Sequence, residues 1–325
     1  MGTFLIRRLL QAVATLVIVS IIIFVGVFAI GNPIYVLVDP NAPADVVEQT
    51  VRELGLDRPV HEQYLRFVAA ALKGDLGTSY VHAQPSLALI ASRFPATLEL
   101  VLAGLVIAFA VGLPLGLAAG YLANNWLARL ISSFSIVGIS VPTFWIGLIM
   151  IIGFSLELGL VPTGGRGDTV SLLGVETSLL TADGLSHIFL PAVALSFFPL
   201  ALIIRLTRAG VREHNRMDYV RFARAMGIPS HRILISYVLR NILIPIVTMM
   251  GLIFGTLIAF AVVTETVFAW PGMGKLIIDS IKVSDRPVII AYLLFVVTMF
   301  LVINFLVDLI NAALDPRIRL VKSVE

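Results

Sequence analysis

Residues Asn241–Thr264 read NILIPIVTMMGLIFGTLIAFAVVT, a run without a charged side chain. A helix that crosses the hydrocarbon core of a bilayer needs about 20 consecutive apolar residues, because it rises about 1.5 Å per residue across about 30 Å. The run therefore predicts a transmembrane helix. Composition extends this conclusion to the whole chain, since 58% of its 325 residues are hydrophobic and 13% are charged, against about 25% charged residues in soluble domains.

Five further runs lack charge and predict, together with the first, an all-α polytopic membrane protein with six transmembrane helices. The run that follows Arg7 and Arg8 is longer than the h-region of a signal peptide, which spans about 7–15 residues, and is interpreted as a first span. The five runs are Leu9–Val38, Leu100–Ala128, Leu130–Leu156, Gly184–Ile204 (interrupted only by His187) and Pro287–Val307.

Basic side chains gather on one side of the membrane if the six spans alternate. With the N-terminus inside, fourteen of the 23 basic residues face the cytoplasm, and eight of these are arginines between Arg205 and Arg240. Seven acidic residues then lie outside in the segment that follows the first span. The positive-inside rule favours this orientation, so both termini are predicted to be cytoplasmic.

The predicted organisation has three parts. Residues 1–31 hold the N-terminus and first span, residues 32–96 form an external segment, and residues 97–325 form a five-helix core with a cytoplasmic loop at 205–240. Apolar residues at helical spacing predict two or three short helices in the external segment. A second external segment near Glu157–Ser186 is predicted to be loop-like because it contains proline and glycine breakers.

A short helix pattern lies inside the arginine-rich loop at Tyr219–Gly227, with Arg221 and Arg224 away from its apolar face. Gly227 is predicted to end this helix and Ser230 to cap the next one, giving a helix–turn–helix elbow at the membrane. Its small residues favour a docking surface; the alternative is a loop whose arginines only set topology and contact anionic lipid. The residues predicted to share the apolar face are Tyr219, Phe222, Ala223 and Met226.

This stretch resembles the inner-membrane permeases of binding-protein-dependent ABC importers. Their general cytoplasmic motif, E-A-A-x-x-x-G followed by I-x-L-P, is matched only at Ala223, Gly227 and Leu239. The peptide-transporter branch is matched more closely, and the similarity covers essentially the whole chain. The matching stretches are Asp218–Gly227, Leu239-Arg240-Asn241, Pro245, Leu54–Pro59, Gln63-Tyr64, Gly74–Ser79, Pro95–Leu100, Thr264–Phe268, Trp270–Gly274 and Asp315-Pro316-Arg317, whereas Ile30-Gly31-Asn32-Pro33 departs from the usual Pro-Gly-Asp-Pro.

The resemblance implies a type I ABC importer permease-like fold and a place as the first permease of a pair. Such a subunit would form half of the path for di- or oligopeptides, with nickel, haem and glycosides as other substrates of the branch. It would have no cofactor and no ATPase site of its own, because ATP and Mg would be bound by two partner ATPase subunits. The other implied partners are a second homologous permease, an extracytoplasmic binding protein and the lipid membrane, with no nucleic acid. The implied location is the bacterial or archaeal cytoplasmic membrane, which is the inner membrane of a Gram-negative cell.

The resemblance also implies that the Tyr219–Gly227 helix docks on the ATPase subunits and couples ATP hydrolysis to the spans. The predicted coupling residues are Tyr219, Arg221, Phe222, Ala223, Arg224, Ala225, Gly227, Ser230 and His231.

Two further groups of residues are candidates. Glu265, Phe268 and Trp270 end the fifth span and are interpreted as an external gate or binding-protein contact, with an interfacial aromatic anchor as the alternative. The candidates for lining the path are Pro142, Phe144 and Trp145, with tight packing as the alternative.

Other classes of function have weaker patterns. Gly272–Lys275 does not have P-loop spacing, because residue 269 is alanine where glycine is needed. No two-histidine zinc pattern occurs and the chain has no cysteine, so no metal site is expected. A secondary transporter and a membrane enzyme remain alternatives, and a proton relay would have to use His187, Glu265 and Asp308.

Overall fold

A computed structural model describes residues 2–29, 34, 38, 42–53, 55–122 and 125–314, and most of these are helical. The departure at Ile30–Pro33, the matching stretch at Asp315–Arg317 and the basic residues near the C-terminus lie outside the described residues. The chain consists of two compact units. The first comprises Met1–Thr97 and Pro271–Val302, and the second comprises Leu98–Trp270 and Ile303–Glu325.

Among the described residues, the elements are helices and one two-stranded antiparallel sheet. In chain order they are α1 (Gly2–Ala29), α2 (Ala44–Glu53), α3 (Val60–Ala71), α4 (Ser86–Tyr121), α5 (Trp126–Ser140), α6 (Thr143–Met150) with a π-helical continuation at Ile151–Glu157, β1 (Val170–Leu172), β2 (Val175–Thr177), α7 (Ala182–His214), α8 (Asp218–Ala225), α9 (Ser230–Arg232) with a π-helical continuation at Ile233–Leu239, α10 (Arg240–Val267), α11 (Met273–Lys282) and α12 (Arg286–Leu314).

Five helices in the described part of the chain are long and apolar enough to cross a membrane, and a bent pair supplies a sixth crossing if it counts as one span. Five of the six predicted spans are therefore present as long helices, whereas the third is not the single helix expected at Leu130–Leu156. It consists of α5 and α6 with its continuation, bent by 106°. Val141 and Pro142 are extended at the break, with ψ of 130° and 134°, because proline disfavours a helical residue before it and has no N–H to donate.

Two short helices, α2 and α3, lie in the predicted external segment, as expected from its helical spacing. Helix α4 also begins there, at Ser86, and passes through Pro95, which had been expected to precede the span. Ile90 and Leu100 on either side of Pro95 are fully buried. Their burial favours one continuous helix over the break that a proline alone would predict.

The second predicted external segment contains a β-hairpin that its composition did not predict. Strands β1 and β2 pair antiparallel, with Val170 opposite Thr177 and Leu172 opposite Val175. The two connecting residues, Leu173 and Gly174, both have positive φ, 53° and 82°. A two-residue hairpin turn with this geometry usually carries Asn-Gly, so leucine at its first position concealed the signal.

The second unit depends on close contact between α4 and α7. Four glycines of α4, termed the glycine row, face α7. A Cβ atom at Gly116 would lie 2.5 Å from Cβ of Thr207, and one at Gly120 would lie 2.6 Å from Cβ of Val211. Small residues let helix backbones approach in a membrane, where van der Waals contact replaces the hydrophobic effect as a source of association. The glycine row consists of Gly104, Gly112, Gly116 and Gly120.

We predict that Gly116→Val lowers the melting temperature of the detergent-purified protein, because an overpacked contact costs about 1–3 kcal/mol. Gly26→Val on α1 is the matched control, since a Cβ atom there would meet nothing within 4 Å. A thermal unfolding series measures both variants. Equal melting temperatures for the two would contradict the close packing of α4 on α7.

Candidate functional site: the cationic elbow

The predicted loop at 205–240 is mostly helix. Helix α7 continues to His214 and carries Arg205, Arg208 and Arg212 on its last turns, while a helix resumes at Ser230 and runs into α10. The part between the long helices is α8 with its flanking turns. We call α8, the turn Met226–Pro229 and α9 with its continuation the cationic elbow.

Helix α8 begins and ends through local signals. Asp218 lies in its first turn, where a carboxylate is favoured by the helix dipole. At the other end Gly227 has φ of +75°, its N–H donates to the carbonyl of Arg224 at 3.0 Å, and Ile228 N–H donates to the carbonyl of Ala223 at 3.1 Å. These two bonds form a Schellman motif, so the prediction that Gly227 ends the helix is confirmed.

The predicted apolar face of α8 is wrong. Val220 is fully buried and Ala223 is 3% exposed, whereas Phe222 and Met226 are 68% and 67% exposed. The buried pair lies at i, i+3 and packs in one cluster with apolar residues of α7, α9 and α10, namely Val211, Ile233, Val238, Ile242 and Ile246. Their short side chains allow α8 to lie close to the rest of the elbow, which leaves the longer apolar side chains pointing away.

Most of the predicted coupling residues are accessible. Ala223 is buried, and Tyr219 is half-buried. Ser230 does not cap the next helix: Pro229 occupies that position with φ of −61°, Ser230 is the first helical residue, and no side chain satisfies the cap. The fixed φ of Pro229 is compatible with the N-cap position, so Ser230 becomes the first helical residue and not the cap. The exposed members are Arg221, Phe222, Arg224, Ala225, Gly227, Ser230 and His231.

Tyr219 joins α8 to both long helices. Its hydroxyl lies 2.8 Å from Nδ1 of His214 at the end of α7, and the two rings meet edge to face with centroids 6.0 Å apart. Asn241, at the start of α10, donates from Nδ2 to the same hydroxyl at 3.5 Å and to the carbonyl of Tyr237 at 2.7 Å. His214 was not predicted, because nothing in its local sequence marks it as a partner.

The three candidate gate residues lie in the core. Glu265 and Trp270 are fully buried and Phe268 is 1% exposed, and Trp270 N–H donates to the carbonyl of Glu265 at 2.8 Å. Gly147 of α6 packs against Phe268, since a Cβ atom there would lie 3.0 Å from the ring. Gly165 N–H donates to the carbonyl of Phe268 at 2.9 Å. The burial of the three side chains disagrees with a direct binding-protein contact. The Gly165–Phe268 hydrogen bond connects the end of α10 to the hairpin segment.

The three candidate path residues flank the bend between α5 and α6. Pro142 is exposed, and Phe144 and Trp145 are 47% and 52% exposed. Exposure disagrees with the alternative of tight packing within the chain. These side chains are available to lipid, to a partner or to a path.

Sequence reasoning missed a buried cluster that holds the hairpin segment in the second unit. Glu99 of α4 accepts hydrogen bonds from Nε and Nη2 of Arg166 at 3.1 and 2.9 Å, and from the N–H and hydroxyl of Ser178, both at 3.0 Å. Arg166 also donates to the carbonyl of Glu176 at 2.6 Å. We call Glu99, Arg166 and Ser178 the Glu99 clasp. Glu99 belongs to a matched stretch, but its partners lie far away in sequence.

Two further joints lie within the first unit. Ser79 hydroxyl donates to Asp285 at 2.5 Å, and Tyr80 N–H donates to the same carboxylate at 3.1 Å. Burial raises the pKa of the Tyr80 hydroxyl above its ordinary value. Thr97 hydroxyl accepts from the N–H of Met273 at 2.8 Å. The matched stretches around Ser79 and Thr97 therefore connect to segments that are distant in sequence, at Asp285 and Met273.

The described residues contain no group of three or more carboxylate or imidazole side chains that suits a metal ion. His187 lies in the first turns of α7, with Nδ1 2.9 Å from the carbonyl of Asp183 of the same helix. Helix α11 begins at Met273, inside the glycine-rich stretch that lacks P-loop spacing.

Comparison with known proteins places these features in a family. A model described as the binding-protein-dependent transport system inner membrane component matches residues 112–320, and a model of the N-terminal part of such membrane components matches residues 1–101. The glutathione transport system permease protein GsiC of Escherichia coli O6:H1 is 39% identical over 98% of this chain and 99% of its own length. The proteins of the same name from Shigella dysenteriae serotype 1 and Salmonella paratyphi A are 38% and 37% identical over the same shares.

A solved structure of inward-facing conformations of the MetNI methionine ABC transporter has a similar fold. Its TM-score is 0.54 at 19% identity, covering 70% of this chain and 96% of that chain. At this identity the similarity shows the fold alone, and it confirms the predicted importer-permease fold.

We predict that Glu99→Ala lowers the free energy of unfolding by about 3 kcal/mol, because it leaves the largely buried guanidinium of Arg166 without its carboxylate. Glu48→Ala is the control: Glu48 pairs with Arg52, both two-thirds exposed, and its loss should cost less than about 1 kcal/mol. Melting temperature and limited proteolysis of segment 158–181 measure both. Unchanged proteolysis of this segment in Glu99→Ala would contradict the clasp.

Proposed function

The chain belongs to the inner-membrane components of binding-protein-dependent transport systems, and we propose that it forms half of a path for short peptides, driven by ATPase subunits that dock on its cationic elbow. Membership makes the chain a permease subunit of an ABC importer in the inner membrane, and the ATPase is a separate subunit. The substrate and the coupling surface are the proposed parts.

The exposed apolar tip of α8 carries the coupling proposal. Phe222 and Met226 stand two-thirds exposed on a helix whose neighbouring side chains include the exposed Arg221 and Arg224. An apolar centre with a charged rim is the composition of a docking surface. The partner's groove should be apolar with an acidic rim, and the arginines should speed its approach. The ATPase subunits on this side would bind ATP and Mg, with the elbow and both termini in the cytoplasm.

The remaining partners follow from the half-path arrangement. A second homologous permease would complete the path, and the exposed Phe144 and Trp145 beside Pro142 are the residues we propose to face it or the path. An extracytoplasmic binding protein would deliver the substrate. We propose the buried group of Glu265, Phe268 and Trp270 as the hinge of an external gate, because the Gly165–Phe268 bond links the end of α10 to the hairpin segment.

Short peptides are the proposed substrate class. The relatives named above are called glutathione transport permeases, and glutathione is itself a tripeptide. The interiors of the spans are nearly free of charge, which suits a conduit that does not select one ion or one side chain. The division of the chain into residues 1–31, 32–96 and 97–325 stays a prediction, as does the selection of substrate by the binding protein.

Deleting the gene in its host should abolish one component of labelled glutathione uptake, and unlabelled di- and tripeptides should compete for that component. The wild-type gene should restore it. Uptake that nickel ions or haem inhibit, with no effect of peptides, would contradict the peptide proposal and leave the permease assignment intact.

Phe222→Asp should abolish ATP-driven uptake while the chain still inserts, because a charge replaces the apolar centre of the docking surface. The measurement is the amount of ATPase subunit that co-purifies with the tagged chain, together with uptake in cells. Ala225→Glu should act in the same direction. Ala223 is unsuitable for this test, since its substitution would disrupt packing inside the elbow.

Leu72→Asp is the matched control, because Leu72 is an apolar residue 85% exposed at the end of α3, away from the elbow in sequence. It should insert, recover ATPase subunits and transport like the wild type. Normal ATPase recovery with Phe222→Asp would refute docking through α8 and favour the alternative that the elbow only contacts anionic lipid.

A further inference from the structure

Tyr219 contacts both long helices that enter and leave the elbow. Its hydroxyl lies within hydrogen-bond distance of His214, the last residue of α7, and of Asn241, the second residue of α10. We infer that the Tyr219–His214–Asn241 triad is a tether that positions α8, so that a displacement of α8 moves the ends of α7 and α10 together. This inference rests on the proposed docking of ATPase subunits on α8.

The apolar contact beneath α8 does not by itself fix its orientation. Val220 and Ala223 pack against Val211 and Ile233 through short side chains, and such contacts depend on area and not on direction. Hydrogen bonds weaken steeply when distance or angle changes. The 2.8 Å bond to His214 is therefore the stronger constraint on the rotation of α8 about its axis, the 3.5 Å bond from Asn241 is a weaker one, and the apolar cluster supplies adhesion.

The end of α7 and the start of α10, which the triad connects to α8, are in close contact with each other. A Cβ atom at Gly210 of α7 would lie 2.7 Å from Cγ2 of Ile242 in α10, so the helix ends beside the triad are packed without space between them. Arg224 adds a second tie to the end of α7, since its Nη2 donates to Oδ1 of Asn215 at 3.2 Å. A rigid joint of this kind passes a displacement on, whereas a loosely packed joint would absorb it.

The hydrogen-bond chain has a chemically consistent direction. Asn241 can only donate from Nδ2, so the Tyr219 hydroxyl accepts from it and remains able to donate its own proton to Nδ1 of His214. This direction requires the tautomer of His214 in which Nδ1 accepts the hydrogen bond. Phenylalanine at position 219 would keep the ring contact and remove both hydrogen bonds.

Tyr219→Phe in the complete transporter, reconstituted in liposomes with its ATPases and binding protein, is the primary test. ATPase subunits should co-purify at the wild-type ratio, because the docking face is unchanged. Substrate transported per ATP hydrolysed should fall about threefold or more. Tyr237→Phe is the matched control, since the Tyr237 hydroxyl makes no hydrogen bond among the described residues, and it should transport like the wild type.

The absence of cysteine from the chain permits a direct structural readout. Asp218→Cys on α8 and Ile244→Cys on α10, both exposed, can be spin-labelled in this chain without competing thiols of its own, before it is assembled with its partner subunits. The distance distribution between the labels in the complete transporter should broaden with Tyr219→Phe and stay narrow with Tyr237→Phe. His214→Ala should reproduce the broadening, and His214→Gln, which keeps a hydrogen-bonding side chain, should restore most of the coupling.

The outcomes separate the tether from the docking proposal. Wild-type transport per ATP together with an unchanged distance distribution in Tyr219→Phe would overturn the tether and leave docking through α8 untouched. Loss of the ATPase subunits from the wild-type chain on purification, or full uptake by Phe222→Asp, would overturn docking itself. A merely structural loss would appear as poor recovery of Tyr219→Phe, with normal coupling in the protein that is recovered, and would also overturn the tether.

Discussion

Helices α4 and α7 approach so closely that a methyl group would collide with Thr207 or Val211 at two positions of the glycine row. In lipid the tails surrounding a span are as apolar as its side chains, so helix association relies on close van der Waals contact. Helix α7 is the most buried of the five long apolar helices, and it also contacts α5, α6 and α10 in the second unit. Because α7 ends at His214, directly before the elbow, the packing of α7 determines the position of the elbow.

Packing within the elbow stabilises α8, a helix of only eight residues. An isolated helix of this length is unstable in water, so it needs tertiary contacts. Val220 and Ala223 supply them on one side, and Gly227 turns the chain back so that Ile233 and Val238 can cover them. The larger Phe222 and Met226 are left outside. The same short helix is thus held by one face and exposes another.

The matched stretches that revealed the family have mostly structural explanations. Ser79 binds Asp285, Thr97 binds Met273 and Glu99 binds Arg166, and these pairs are separated by 206, 176 and 67 residues. Glu265 and Trp270 from the same stretches are buried and joined by a backbone hydrogen bond. Motifs of this kind indicate a fold because their residues hold distant segments of the chain together. For the same reason they do not indicate which residues line the translocation path.

The sequence alone determined the membrane class, the places of the five long spans, the family, and the helix that ends at Gly227, because these depend on composition, the length of apolar runs, motif residues or local backbone preference. It did not determine which face of α8 is buried, the bend of the third span, the hairpin or the partners of Glu99 and Tyr219. Spans that are apolar all round have little periodicity, so their sequence does not say which side meets which neighbour. Only the packed structure brings Arg166 to Glu99 and His214 and Asn241 to Tyr219, because contacts between distant segments arise from how the helices pack.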